Sequence, residues 1–204
     1  GPMPMIELFK DLYKDRFFYQ LYFQKEGVAE AELEADIKKS LFLTYLSSDA
    51  RGMKRILREK KSASFTTLNS QKKTSKQGFL DGLPHYKNMP YWLTKKDLDI
   101  FVNAFKKSGF RGPINRYRVQ NQDWHELKEL RLPFTKPACF IAGDLDPVNF
   151  FIPESAKERI KRIKSYYTDL RIFKLLKHVG HWTAQEAPEA VNKLLIKFLQ
   201  TLAH

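Results

Sequence analysis

Apolar residues recur at helical spacing through most of the first two thirds of the chain, and the pattern changes near Pro133. Leu8, Leu12 and Tyr13 fit a short helix. Tyr19-Gln20-Leu21-Tyr22-Phe23-Gln24 reads as extended or irregular, and Gly27 ends it. From Val28, the residues Ala29, Leu33, Ile37, Leu41 and Tyr45 fall every four positions and predict one helix. Its acids (Glu30, Glu32, Glu34, Asp36) come early and Lys38 and Lys39 later, an order that suits the helix dipole. Gly52 to Arg58 predicts a further short helix, and Gly82-Leu83-Pro84 a turn. Thr94 is an N-cap with Asp97 three residues on; Leu98, Phe101, Val102 and Phe105 form the apolar stripe, and Gly109 stops it. Phe110 to Asn115 reads as a turn and Arg116 to Glu129 as another helix.

Beyond Pro133 the run Ala138-Cys139-Phe140-Ile141-Ala142 is continuously apolar between turn signals, which predicts a strand buried on both faces, as in a parallel sheet. Gly143-Asp144-Leu145-Asp146-Pro147 is the loop after it. Pro153 and Glu154 start a helix carrying Ala156, Ile160 and Ile163, and Leu170 to Leu175 is a second strand. Pro188 sits in the first turn of a last helix, where its missing N–H is harmless. Val191, Leu194, Leu195, Phe198, Leu199 and Leu202 are that helix's apolar face. The order strand–loop–helix–strand–loop–helix is the signature of an α/β fold. Two strands do not complete such a sheet, so much of it is expected to lie outside these residues.

The loops that follow the two strands carry the candidate chemistry. In open α/β sheets functional groups collect at the carboxyl ends of strands. Asp144 and Asp146 follow the first strand, and His181, within Leu176-Lys177-His178-Val179-Gly180-His181-Trp182-Thr183, follows the second. A histidine there can serve as a general base, and a carboxylate can fix its tautomer. Asp146 is the preferred partner, because Asp144 comes sooner after the strand and suits a turn cap. Taken alone, the stretch also fits an ordinary half-buried histidine beside a tryptophan, and either aspartate an ordinary turn residue. In the α/β-hydrolase arrangement the chain order is nucleophile, acid, histidine. The last two fit, but no Gly-x-Ser-x-Gly or Gly-x-Asp-x-Gly occurs in the 204 residues.

Composition narrows the picture. A hydrophobic content of 43% with 14% aromatics supports a packed core rather than disorder. The single cysteine, Cys139, forbids an internal disulfide and reads as a small core residue. No apolar run approaches a membrane span, and the start Gly-Pro-Met-Pro-Met has no secretory pattern, so the expected compartment is the cytoplasm, with no membrane partner. Gly1-Pro2 fits a cleaved tag or the new end of a cut chain. The net charge is +13, of which residues 51–77 carry +8, from nine Lys/Arg against one acid. The Ser/Thr/Lys-rich half of that segment, Lys60 to Lys76, reads as a solvated loop, and with Phe65 alone it lacks the stacking aromatics of a nucleic-acid platform; an anionic partner is the alternative.

Three stretches carry a resemblance that spans nearly the whole chain. They are Tyr19-Gln20-Leu21-Tyr22-Phe23-Gln24 with Gly27-Val28-Ala29-Glu30-Ala31-Glu32-Leu33-Glu34, Lys107-Ser108-Gly109-Phe110-Arg111-Gly112-Pro113-Ile114-Asn115-Arg116-Tyr117-Arg118, and Gly180-His181-Trp182-Thr183. In this order they resemble the soluble epoxide hydrolases of the α/β-hydrolase fold. The resemblance implies a helical cap over residues 1–130, with the basic loop 51–77 largely outside the match, and the C-terminal part of a hydrolase core over 131–204, with an incomplete sheet. It implies that Tyr19 and Tyr117 hold the epoxide oxygen, that Asp146 is the charge-relay acid and His181 the base, and that Gln20 and Trp182 line the pocket. Arg116 stands where the family usually has tryptophan.

The implied activity is hydrolysis of a small-molecule epoxide to a vicinal diol through an ester on a carboxylate, with neither metal nor cofactor. That nucleophile belongs to an N-terminal part of the core outside these residues, or to a complementary chain, so the 204 residues alone are expected to be inactive. A non-catalytic binding module built from hydrolase parts and a haloalkane-type dehalogenase are the alternatives. The tyrosine pair argues for epoxides over halides. Without the resemblance, Tyr19 and Tyr117 are two of nine tyrosines that could simply pack between helices.

Overall fold

The computed structural model describes residues 3–14, 16–59, 77–83, 86–127, 129–130 and 132–202. The expected basic loop from Lys60 to Lys76, and Pro84 of the expected turn, lie outside these residues. The chain divides into two compact units, residues 1–44 with 71–130 and residues 45–70 with 131–204.

The first unit is helical. Helix α1 (Met5–Leu12) buries Ile6 and Phe9 and leads into an aromatic cluster. Tyr13 stacks on Phe18 at 4.1 Å, and Phe9 meets Phe18 at 4.5 Å. Tyr19–Tyr22 forms one helical turn, α2, rather than the extended or irregular segment expected. The N–H groups of Leu21 and Tyr22 both return to the Phe18 carbonyl, so local bonds win over the strand propensity of the rings. The single helix expected from Val28 is two, α3 (Val28–Ala35) and α4 (Ile37–Ser48). The break is at Asp36 (φ −147°, ψ 88°), whose Oδ1 accepts from the Lys39 N–H at 3.0 Å and starts the next helix. Helix α5 (Ala50–Glu59) follows and belongs to the second unit.

Helix α6 (Lys95–Ser108) has the capping box expected of Thr94 and Asp97 and ends at Gly109, where φ is +65°. The segment read as a turn is instead the start of α7 (Arg111–Arg118). Pro113 sits in its first turn, where it costs no hydrogen bond, and Glu34 Oε1 accepts from the Phe110 N–H at 2.8 Å in place of a local cap. The helix expected over 116–129 is therefore split at Val119 between α7 and α8 (Gln120–Glu126).

The second unit carries two parallel strands, β1 (Ala138–Gly143) and β2 (Leu170–Leu176), with Phe140 opposite Phe173 and their rings stacked at 5.2 Å. Between them lie a 3-10 turn (Pro147–Phe150) and α9 (Ala156–Lys164), which begins at a Ser155–Glu158 capping box, two residues later than Pro153 suggests. After β2 come the single turn α10 (Thr183–Glu186) and the last helix α11 (Pro188–Gln200). Residues 138–142 are half-buried rather than covered on both faces, because among the described residues the sheet has two strands. On α11, Val191, Leu194 and Phe198 are half-buried while Leu195, Ile196 and Leu199 are exposed. The Cys139 thiol is half-buried, and burial pushes its pKa up.

Candidate active site

The loops at the carboxyl ends of β1 and β2 bring an imidazole and a carboxylate together. Asp146 caps the 3-10 turn through Oδ1, which accepts from the Val148 N–H at 2.9 Å. The same oxygen lies 3.0 Å from His181 Nδ1. Asp144, the competing acid, is used otherwise: its Oδ1 accepts from the His178 N–H at 2.7 Å and holds that residue at φ +63°. Asp146 rather than Asp144 therefore faces His181. The hydrogen bond to Asp146 raises the His181 pKa above its ordinary value, against the opposing pull of burial. The imidazole remains 40% exposed. With Nδ1 turned to the carboxylate, Nε2 is the nitrogen left to exchange a proton.

The backbone of this loop is tightly packed. A Cβ at Gly143 would stand 2.2 Å from the Val179 carbonyl oxygen, and one at Gly180 only 2.4 Å from the Ala50 nitrogen, so glycine is required at both. Trp182 is half-buried. Its indole N–H donates to the Tyr45 carbonyl at 2.8 Å, and its ring meets Tyr45 and His181 edge-on, each at 4.9 Å.

In the helical unit, α2 and α7 bring the two tyrosines singled out above side by side. The rings of Tyr19 and Tyr117 meet edge-on at 5.5 Å, with Phe23 5.5 Å from the first and 5.3 Å from the second. Gln20 is buried, and its amide N–H donates to the Tyr19 oxygen at 2.9 Å. That bond occupies a lone pair of the phenol and leaves its proton to be directed elsewhere. Two residues unremarked in the sequence fasten the helices that carry the pair. Gln24 donates to the carbonyls of Gln20 and Tyr117, and Arg118 donates to the Phe23 carbonyl while pairing with Glu30 at two points. A glutamine in the turn after α2 and an arginine at the end of α7 carry no spacing signal, which is why the sequence does not expose them. Arg116 pairs with Asp123 at the surface.

A helical region followed by parallel strands with acid and histidine in the strand-end loops defines a helical cap joined to part of an α/β-hydrolase core. Relatives agree. No family model matches the sequence. Epoxide hydrolase A of Mycobacterium tuberculosis is 31% identical over 98% of this chain and 57% of its own length. The bifunctional epoxide hydrolase 2 of Mus musculus is 34% identical over 91% of this chain and 30% of its own. Among solved structures, epoxide hydrolase A from Mycobacterium thermoresistibile superimposes with a TM-score of 0.74 at 34% identity, covering 98% of this chain and 57% of that one. An epoxide hydrolase from an endophytic Streptomyces gives 0.82 at 28% identity, covering 98% and 59%. The chain is related over nearly its whole length to the epoxide hydrolases of the α/β-hydrolase type, and it spans little more than half the length of the full-coverage relatives it matches.

Proposed function

We propose that this chain forms the lid and the acid–base half of an epoxide hydrolase, acting on a small-molecule epoxide in the cytoplasm, with residues 1–130 as the cap and 131–204 as the C-terminal part of the core. A carboxylate supplied from outside these 204 residues attacks an epoxide carbon and breaks its C–O bond. The departing oxygen takes a proton from a phenol, Tyr19 or Tyr117, while the other donates a hydrogen bond to it; un-ionised donors suit an alkoxide leaving group. The product is an ester on the carboxylate. His181 Nε2 then removes a proton from water, Asp146 stabilises the imidazolium, and the hydroxide adds to the ester carbonyl; as the acyl C–O bond breaks, the departing alkoxide takes the proton of the added hydroxyl, which releases the vicinal diol and restores the carboxylate, and the imidazolium proton remains to be returned. The proton passes back to the tyrosinate. Gln20 orients Tyr19, and Trp182 lines the pocket beside His181.

The observation that carries this reading is the 3.0 Å contact between His181 Nδ1 and Asp146 Oδ1 at the ends of adjacent parallel strands. The paired tyrosine rings, and the naming of the relatives as epoxide hydrolases, favour an epoxide over a halide as the leaving group. The test is the double substitution Tyr19→Phe with Tyr117→Phe in the full-length protein. Each lost oxyanion donor costs about 100-fold or more in rate, so epoxide opening should fall below detection. Retained turnover of an epoxide by the double variant would refute the assignment.

A further inference from the structure

The backbone on both sides of His181 is held by one buried side chain. Glu186, only 5% exposed, accepts from the Gly180 N–H at 3.0 Å and the Ala50 N–H at 2.9 Å through Oε2, and from the Trp182 N–H at 3.1 Å through Oε1. The intervening N–H, that of His181, donates to the Ser48 carbonyl at 2.9 Å. Three successive donors of the loop are thus bonded to fixed groups, two of them to the same carboxylate. The turn that offers the Ser48 carbonyl and Ala50 N–H is itself pinned by buried Asp49, which accepts from the Gly52 N–H at 2.8 Å and faces Arg51 at 3.2 Å. At Gly180 an added Cβ would meet Glu186 Oε1 at 2.8 Å, so the carboxylate lies directly against the loop.

Burying a carboxylate is costly unless its oxygens are bonded, and a buried polar network with its groups bonded selects one geometry. A four-residue helix could end on a solvated acid at no such cost. Burial does push the Glu186 pKa up, with the three N–H donors pulling the other way. Its charge also adds to the forces that raise His181.

We propose that Glu186 is a positioning residue for His181, a carboxylate clamp that fixes the peptide planes before and after the imidazole and so aims Nε2 at the water. The inference rests on reading His181 as the base. It is tested with Glu186→Gln in the full-length protein. The amide keeps the size but turns an NH2 toward a backbone N–H, so one of the three bonds is lost. Misaiming a catalytic group by an ångström costs on the order of 100-fold, so kcat should fall roughly 10- to 100-fold while KM stays within about twofold. The NMR titration midpoint of His181, whose charged neighbours are Asp146 and Glu186, should also move down. A purely structural role predicts a lower melting temperature with kcat and the His181 midpoint unchanged, and that result overturns the proposal. If the variant does not fold, amide exchange in the unaltered protein decides: Gly180 and Trp182 should exchange as slowly as the β1–β2 ladder, and fast exchange at either overturns the clamp. Should the full-length protein open no epoxide, the base assignment fails, and with it the proposed role in aiming water; exchange and titration still report whether the loop is clamped.

Discussion

The helical unit and the strand-bearing unit each hold a carboxylate away from most of the solvent, Glu30 part-buried and Glu186 buried, and they keep it by different means. Glu30 meets a guanidinium: Arg118 bonds its two oxygens at 2.5 and 3.0 Å, with the two side chains 10% and 12% exposed. The pairing holds Glu30 below the ordinary carboxylate range. Glu186 meets three backbone N–H groups, and burial raises it. An ion pair of the first kind is insensitive to pH near neutrality and serves as a rivet, here between α7, which carries Tyr117, and α3, while the same guanidinium reaches the Phe23 carbonyl just after α2, which carries Tyr19. A carboxylate held by N–H dipoles brings negative charge next to the histidine and can tune it. One unit fixes shape; the other sets a proton affinity as well.

The comparison breaks most readily at the rivet. Arg118→Met strands the part-buried Glu30; removing one partner of a fully buried pair costs about 3–5 kcal/mol, which sets the upper bound here. Urea unfolding should show a loss within that bound, and adding Glu30→Leu should recover most of it. If the single variant lost less than about 1 kcal/mol, the pair would be behaving as a surface bridge and the contrast would fail. Gly180→Ala is the matching perturbation in the other unit. Its methyl would overlap the Ala50 nitrogen and a Glu186 oxygen, and overpacking of this kind costs about 1–3 kcal/mol. The expected companion is a His181 titration that relaxes toward the ordinary histidine value, because the loop must shift to admit the methyl. A stable variant with an unchanged titration would show that the loop tolerates movement.

What the sequence exposes follows the same division. Asp146 and His181 are readable because topology does the placing: residues just after parallel strands gather at one end of the sheet, whatever the details of packing. Tyr19 and Tyr117 lie on helices whose rotation and spacing depend on Gln24, Arg118 and the rings around Phe23, so only the family resemblance singled them out. Two of the departures, the break at Asp36 and the start of α7, share one cause. Acids read as dipole partners are really caps for other segments: Asp36 starts α4, Glu34 serves the Phe110 N–H, and Glu32 accepts from Phe79 and Leu80. A cap supplied from 76 positions away leaves no local pattern, so the start of α7 has the sequence of a turn. Glu186 escaped for the same reason, since an acid two residues before a helix-starting proline looks like ordinary first-turn charge.

The smallest expected effect is also the sharpest on this contrast, because its sign differs between the units. Glu30, depressed in the fold, adds stability that is present above the ordinary carboxylate range and is lost as pH falls through its lowered value. His181, raised in the fold, adds stability that is full below the ordinary histidine value of about 6.5 and is lost as pH rises through its raised one. Glu186, raised as well, loses its share on a rising limb that begins in the acid range. Solvent screens the 40%-exposed imidazole, so its limb should be shallow. Melting temperature against pH should therefore fall steeply in acid and gently above neutrality. Asp146→Asn should flatten the gentle limb and leave the acid one. Turnover in the full-length protein should run the other way, rising with pH as His181 becomes neutral and able to accept a proton, and Asp146→Asn should move that rise to lower pH while slowing the reaction. An Asp146→Asn protein whose limb above neutrality matches the unaltered one would mean that the hydrogen bond between Asp146 and His181 does not govern the imidazole in solution, and the strand-end site would lose its claim to set a proton affinity.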